Sequence, residues 1–188
     1  MHMLDSRAAL EAIGLLPDTE IDIAEAALQL ARIDASDADW RAAREHLSEI
    51  ARRVVELAPG KDDVPSRVIA LSRLLSRDYG YAGDAKNYED PANANLIRVI
   101  ERRRGLPVAL GIIWLHAARA AGWPAHGVDF PAHFLVALTS RSVQAVLDVF
   151  RGGMALGADE LHQLLKYIEG DNAELRPGLL RPMNTRRV

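Results

Sequence analysis

Apolar residues recur at helical spacing through the first eighty positions. Ile21, Ile23, Ala24, Ala27, Leu28 and Leu30 form one stripe behind Asp18-Thr19-Glu20. Trp40, Ala43, Leu47, Ile50, Ala51, Val54 and Leu57 form a second behind Ser36 or Asp37. Val68, Ile69, Leu71, Leu74 and Leu75 form a third behind Asp62 or Asp63. Such spacing puts the apolar side chains on one face of a helix, and a short polar residue in front satisfies the first free amides. A shorter helix is expected from Asp5 or Ser6 through Ile13, stopped by Gly14. Pro59-Gly60 closes the second stripe, and Pro65 suits the first turn of the third.

Residues 80–93 are rich in glycine, asparagine and aspartate and read as a connector. Asn93 or Asn95 can cap a helix running to Arg104, with Gly105 as its stop. Pro107 then fits the first position of another helix. From Val108 to Ala121 that helix is apolar nearly all round, with His116 and Arg119 its only strongly polar members, which predicts burial on most sides. Beyond Gly122 the period switches to two. Ala125–Phe130, His133–Leu138 and Val143–Val149 read as strands, the last two joined across Thr139–Ser142. If Thr139 pairs with Ser142, His133 stands directly opposite Asp148. A one-residue slip would send the two to opposite faces. Asp159–Ile168 is helical again, and the chain from Gly170 onward is polar and broken by proline.

Composition sharpens this picture by exclusion. Of 188 residues, 49% are apolar and only 5% aromatic, which favours helix packing over an aromatic-rich sandwich. A net charge of -3 argues against a nucleic-acid or anionic-membrane binder, which needs a clustered positive field. No run reaches the ~18 apolar residues of a membrane helix, and Met1–Arg7 lacks a signal peptide's apolar stretch. A cytoplasmic location is expected. The absence of cysteine excludes disulfides, thiolate metal sites and thiol nucleophiles together.

A buried helix followed by a hairpin with His on one strand and Asp near the end of the next has a chemical meaning. In thiol transferases and proteases the nucleophile sits at a helix start, an imidazole activates it, and an acid orients the imidazole. Here the residues would be the helix start at Pro107, then His133, then Asp148. Two stretches carry a family likeness: Asn95-Leu-Ile-Arg-Val-Ile-Glu-Arg-Arg-Arg-Gly-Leu-Pro-Val-Ala-Leu110, and Gly122-Trp-Pro-Ala-His-Gly-Val-Asp-Phe-Pro-Ala-His-Phe-Leu-Val136. Together they resemble the SirB-type branch of the transglutaminase-like superfamily, over about residues 80–155. The resemblance implies that His133 is the family histidine and Asp148 the acid after it. It also implies a tetratricopeptide-like helical region following the core, and hence that the chain ends short of one. The nucleophile does not carry over, because the helix start holds Pro107, Val108 and Ala109, and no Ser, Thr or Cys occurs from Arg77 to Leu138.

The expected fold is therefore α+β. An N-terminal helical lobe (1–79) packs on a transglutaminase-like core (80–169) of one central buried helix plus a small antiparallel sheet, and 170–188 form a C-terminal tail. The leading functional expectation is a non-catalytic domain binding a peptide or protein partner. The alternative is a non-thiol hydrolase with His133 and Asp148 as a general-base dyad acting on water. A third reading makes that pair a staple of the sheet. His116, His126 and His133 could supply three metal ligands, but their spacing matches no metal motif, so no metal or cofactor is expected. Asp129 could line the His133 cleft or lie exposed on a strand edge. Arg102-Arg103-Arg104 could grip a carboxylate, with Arg104 the candidate ligand residue, or form a solvated helix end. Tyr79 and Tyr81 could form a peptide-contacting rim, while Trp114 and Trp123 read as core.

Overall fold

The computed structural model describes residues 2–141 and 143–188, with side chains from Asp5 onward. Its N-terminal helices are α1 (His2–Gly14), α2 (Ile23–Asp34), α3 (Trp40–Leu57) and α4 (Val64–Leu71), the last running on as a π-helical turn over Ser72–Asp78. Asp22, Asp39 and Asp63 cap α2, α3 and α4 with their carboxylates. The caps thus fall a few residues after Asp18 and Asp37, because Asp18–Glu20 forms a separate 3-10 turn. A short parallel bridge joins β1 (Ala82–Gly83) to β2 (Arg104–Gly105). Between them lies α5 (Leu96–Arg102), capped by Asn95.

Helix α6 (Pro107–Ala120) is the central element, and nine of its fourteen residues are buried. Leu110, Ile113, Trp114 and Leu115 join one continuous core with Leu28, Ile50, Leu71 and Leu75 of the N-terminal helices. The same core takes Val136, Leu138 and Leu147 from the sheet. Each such large side chain removed from water contributes roughly 1.5–3 kcal/mol. The all-round apolar pattern of this helix follows from its position between helices and sheet.

The sheet has the order β6-β5-β4-β3-β7 and is antiparallel throughout. Its strands are β3 (Ala125–Phe130), β4 (His133–Ser140), β5 (Val143–Asp148), β6 (Met154–Leu156) and β7 (Arg181–Met183). Helix α7 (Ala158–Glu169) covers the face turned away from α6. A second core forms there from Val128, Phe130, Leu135, Ala137, Val146, Leu161 and Leu165. The segment expected as a plain tail supplies β7, an edge strand paired with β3. It also returns to the N-terminal helices, since the Asp18 carboxylate accepts from the Thr185 and Arg186 amides at 3.0 and 2.9 Å.

The β4–β5 register differs from the expected one. Thr139 pairs with Gln144 and Ser140 with Val143; Ser142, the expected partner of Thr139, lies outside the described residues. Arg141 turns the corner with φ +51°. The slip is two residues, which preserves the side-chain face and makes His133 and Asp148 diagonal neighbours instead of direct opposites.

Two glycines allow α6 to sit where it does. A Cβ on Gly111 would lie 2.2 Å from the Phe134 ring, and one on Gly153 would lie 2.0 Å from the Trp114 ring. Gly153 also has φ +78°. Gly153→Ala is expected to cost about 2–4 kcal/mol, from left-handed backbone strain plus overpacking. Gly122→Ala has φ +70° but open space around it, and should cost about 1 kcal/mol. Urea unfolding of both variants checks this difference, and equal costs would mean that Trp114 yields freely.

Candidate functional site

The His133 Nε2 lies 3.6 Å from the Asp148 Oδ1, with the imidazole 20% exposed and the carboxylate 3%. That oxygen already accepts from the amides of Phe150 at 3.1 Å and Arg151 at 3.3 Å. Asp148 thereby caps the 3-10 turn Val149–Arg151, and the chain reverses through Gly152 and Gly153. The imidazole thus approaches an oxygen engaged elsewhere and stops beyond hydrogen-bond reach, leaving Nε2 buried and unbonded. Burial pushes the Asp148 carboxyl upward. The His133 ring, the Arg151 amide and the Arg151 guanidinium (3.7 Å away) outweigh burial and hold it below its ordinary range.

Strand alternation decides what the pair faces. Phe134, Val136 and Leu138 pack toward α6, whereas Leu135 and Ala137 join the core under α7. His133 stands opposite Phe130, itself a member of that second core. On β5, Leu147 belongs to the α6 side and Val146 to the α7 side, which puts Asp148 with Val146. The pair therefore lies on the face opposite α6. At the α6 start, Val108, Ala109 and Ile112 instead line a hollow with Leu30, Leu96 and Asn95.

The other expected contacts do not gather around His133. Asp129 stands across from Phe134, on the α6 side, and pairs with Arg187 at 3.3 Å. Arg104 is exposed, its Nη1 donating to the carbonyls of Gly80 at 2.9 Å and Arg103 at 2.8 Å. Tyr81 corrects the rim expectation, since it is 2% exposed and lies in the main core. Tyr79 is partly exposed and hydrogen-bonds Glu49 at 3.1 Å. His116 is bound to the Leu47 carbonyl at 2.9 Å. Among the described residues no three His, Cys, Asp or Glu side chains converge on a common point, and no helix is long and apolar enough to cross a membrane.

The three arginines before α6 separate into distinct roles that their spacing did not reveal. Arg102 pairs with Asp84 and Asp90, both at 3.1 Å. Arg103 occupies the left-handed conformation at the end of α5, where Gly105 was expected to sit. Its Nη1 donates to His46 Nε2 and to the Tyr81 hydroxyl. Its guanidinium lies 4.8 Å from the Tyr81 ring centre and 5.6 Å from that of Tyr79. Burial, reinforced by the Arg103 charge, lowers the His46 pKa to about 4, so the ring is neutral and accepts. Burial also pushes the Tyr81 phenol far above its usual range.

The transglutaminase-like superfamily matches residues 41–188, and the chain belongs to that superfamily. It is 41% identical over 102 residues to a UPF0162 protein of Xylella fastidiosa (strain 9a5c), covering 54% of this chain and 36% of that protein. It is 28% identical over 158 residues to the UPF0162 protein of Vibrio cholerae (strain ATCC 39315 / El Tor Inaba N16961), covering 84% of this chain and 58% of that one. Human F-box only protein 21 is 30% identical over 89 residues, 47% of this chain and 14% of its own length. The chain thus matches about a third to just over half of the length of its UPF0162 relatives.

Asp148→Asn should cost about 1–3 kcal/mol near neutral pH, since a buried charged acceptor of two amides is weakened. The folded carboxyl titrates below the unfolded value of 3.8. Its stabilisation is therefore complete above that value and fades as pH falls through the folded pKa. The difference between wild type and Asp148→Asn, followed by thermal unfolding, should narrow below about pH 4. A difference that grows with acidification would contradict the assignment.

Proposed function

We propose that this chain is a non-catalytic transglutaminase-like domain that binds a peptide or protein segment. The observation that carries the reading is the α6 start, where Pro107, Val108 and Ala109 stand and no side chain can attack an acyl carbon. The 3.6 Å gap between His133 Nε2 and the Asp148 carboxylate supports it, because a general-base imidazole wants its orienting acid within hydrogen-bond reach. The same facts weigh against the rival reading, a hydrolase built on His133 and Asp148. The pair then acts to fix the β4 start against the turn after β5.

The surface that suits a segment lies on the same face of the sheet. A groove of about 590 Å³ runs between the sheet, α7 and the irregular segment before β7. Phe130, Val146, Leu156, Leu161 and Leu179 line it, with Gln144 and Arg176 as polar members. An apolar cleft of this size with few polar groups is the usual form of a ligand site. Its neighbour β6 is an edge strand of three residues, able to accept hydrogen bonds from an extended chain. The preferred partner is an extended peptide with apolar side chains at alternate positions. The likeness to a small part of human F-box only protein 21 supports a module that works within larger proteins. The Arg103-to-Pro107 turn and the Phe130-to-Phe134 strand start support placement in the SirB-type branch. Its tetratricopeptide-like helices would then lie in the part of longer relatives that this chain does not match.

Two measurements check the proposal together. Incubation with glutamine-containing peptides and a primary amine should release no ammonia above background, with His133→Ala indistinguishable from wild type. Selection from a displayed library of linear peptides should yield a binder weakened about tenfold or more by Leu175→Asp, a substitution at the groove's exposed lip. His133-dependent turnover, or the lack of a binder sensitive to Leu175→Asp, would overturn it.

A further inference from the structure

Arg103 stands out among the charged side chains. It is half-buried, its Nη1 is anchored by two neutral acceptors, and it has no carboxylate partner among the described residues. Most of its neighbours with a positive charge do. Arg102 has Asp84 and Asp90, Arg98 has Asp37 and Glu101, and Arg53 has Asp78 at 3.7 Å. A partly desolvated guanidinium without a counter-charge is an incomplete arrangement, because its remaining N–H donors form a planar fork matched to an oxyanion. Holding it also requires a non-glycine residue at φ 58°, a strained conformation that concentrates at functional positions.

We propose that Arg103 is the centre of a carboxylate-binding site, formed by the Arg103 fork beside the Tyr79 ring with His46 and the buried Tyr81 hydroxyl behind it. The site is separate from the groove beside α7 and stands independently of that reading. His46 and Tyr81 keep the guanidinium oriented without neutralising it, so its charge stays available to a ligand. The local charges set the ligand's valence. Asp78 answers Arg53 at 3.7 Å and Glu49 accepts from the Tyr79 hydroxyl at 3.1 Å, so Arg103 is the half-buried guanidinium here left without an ion pair among the described residues, one charge for a monoanion. A planar carboxylate accepts two parallel N–H bonds from such a fork. Tyr79, whose ring also carries Arg53 at 5.3 Å and meets His46 edge-on at 4.9 Å, holds the Arg103 fork in place from the side.

The test uses trifluoroacetate with the intact chain at neutral pH, with chloride at matched ionic strength as the reference. Fluorine resonances report the anion and the Arg103 Nε–H resonance reports the protein. The expected result is a saturable shift of both that chloride does not reproduce. Arg103→Lys keeps the charge but loses the fork, and should weaken binding by about tenfold. Arg104→Gln should leave it within about twofold, as expected of an exposed charge. Identical shifts in chloride, or undiminished binding by Arg103→Lys, would overturn the proposal. So would sulfate binding much more tightly than trifluoroacetate, because it would make the site one for dianions. Should Arg103→Lys fail to fold, the wild-type Nε–H titration decides alone. Two short peptides then identify the carboxylate's source. One has an amidated end and a single glutamate, and the other has a free end and no acidic side chain. Response to either supports the site, and response to neither contradicts it.

Discussion

The packing of α6 is the constraint on which everything else in this fold depends. Its apolar surface meets helices on one side and the sheet on the other, so neither layer could close without it. Close approach is obtained by removing side chains at the contact points. Gly111 lets the Phe134 ring lie on the helix, and Gly153 lets the turn after β5 lie against Trp114. The second of these matters for the site. The turn that Asp148 caps is held against α6 through Gly153, so the carboxylate's position is inherited from core packing.

That inheritance gives His133 and Asp148 their places through packing, independently of any chemistry. A transglutaminase-like arrangement needs a nucleophile at the helix start and an imidazole aimed at it. Here the helix start is Pro107-Val108-Ala109, and His133 shares the sheet face that α7 covers. Asp148 is more than an orienting acid, since its Oδ1 is committed to two backbone amides. Replacing either residue would therefore disturb the sheet end even in a chain with no reaction to catalyse. Retention of His133 and Asp148 is compatible with structure alone.

Much of the architecture was legible in the residue pattern, because burial period is a direct consequence of geometry. The α6 boundaries follow from Pro107 and Gly122, and the three central strands from their alternation. Other features were hidden for physical reasons. The β4–β5 turn places a left-handed Arg141 where glycine or asparagine would have signalled it, so the register was read two residues away. The face shared by His133 and Asp148 survived because a slip of two conserves it. Strand β7 carries Arg181 and Pro182, the latter acceptable only on an edge, and such a segment reads as a tail. In the candidate site, residue type alone points to Arg104 and Tyr81. Their roles depend on which guanidinium turns inward at the end of α5, a choice fixed by the left-handed Arg103 and the distant His46.

The orientation of His133 relative to the α6 start is the point most directly open to measurement. Val108→Cys installs a thiol at the half-exposed position of that start, and its pKa can be read by ultraviolet titration of the thiolate. The helix terminus alone should lower that pKa modestly. If the imidazole faces away, the value will be the same with and without His133→Ala. A rise of roughly one unit or more on removing His133 would show the ring acting on the helix start, and would contradict the structural role assigned to the His133–Asp148 pair.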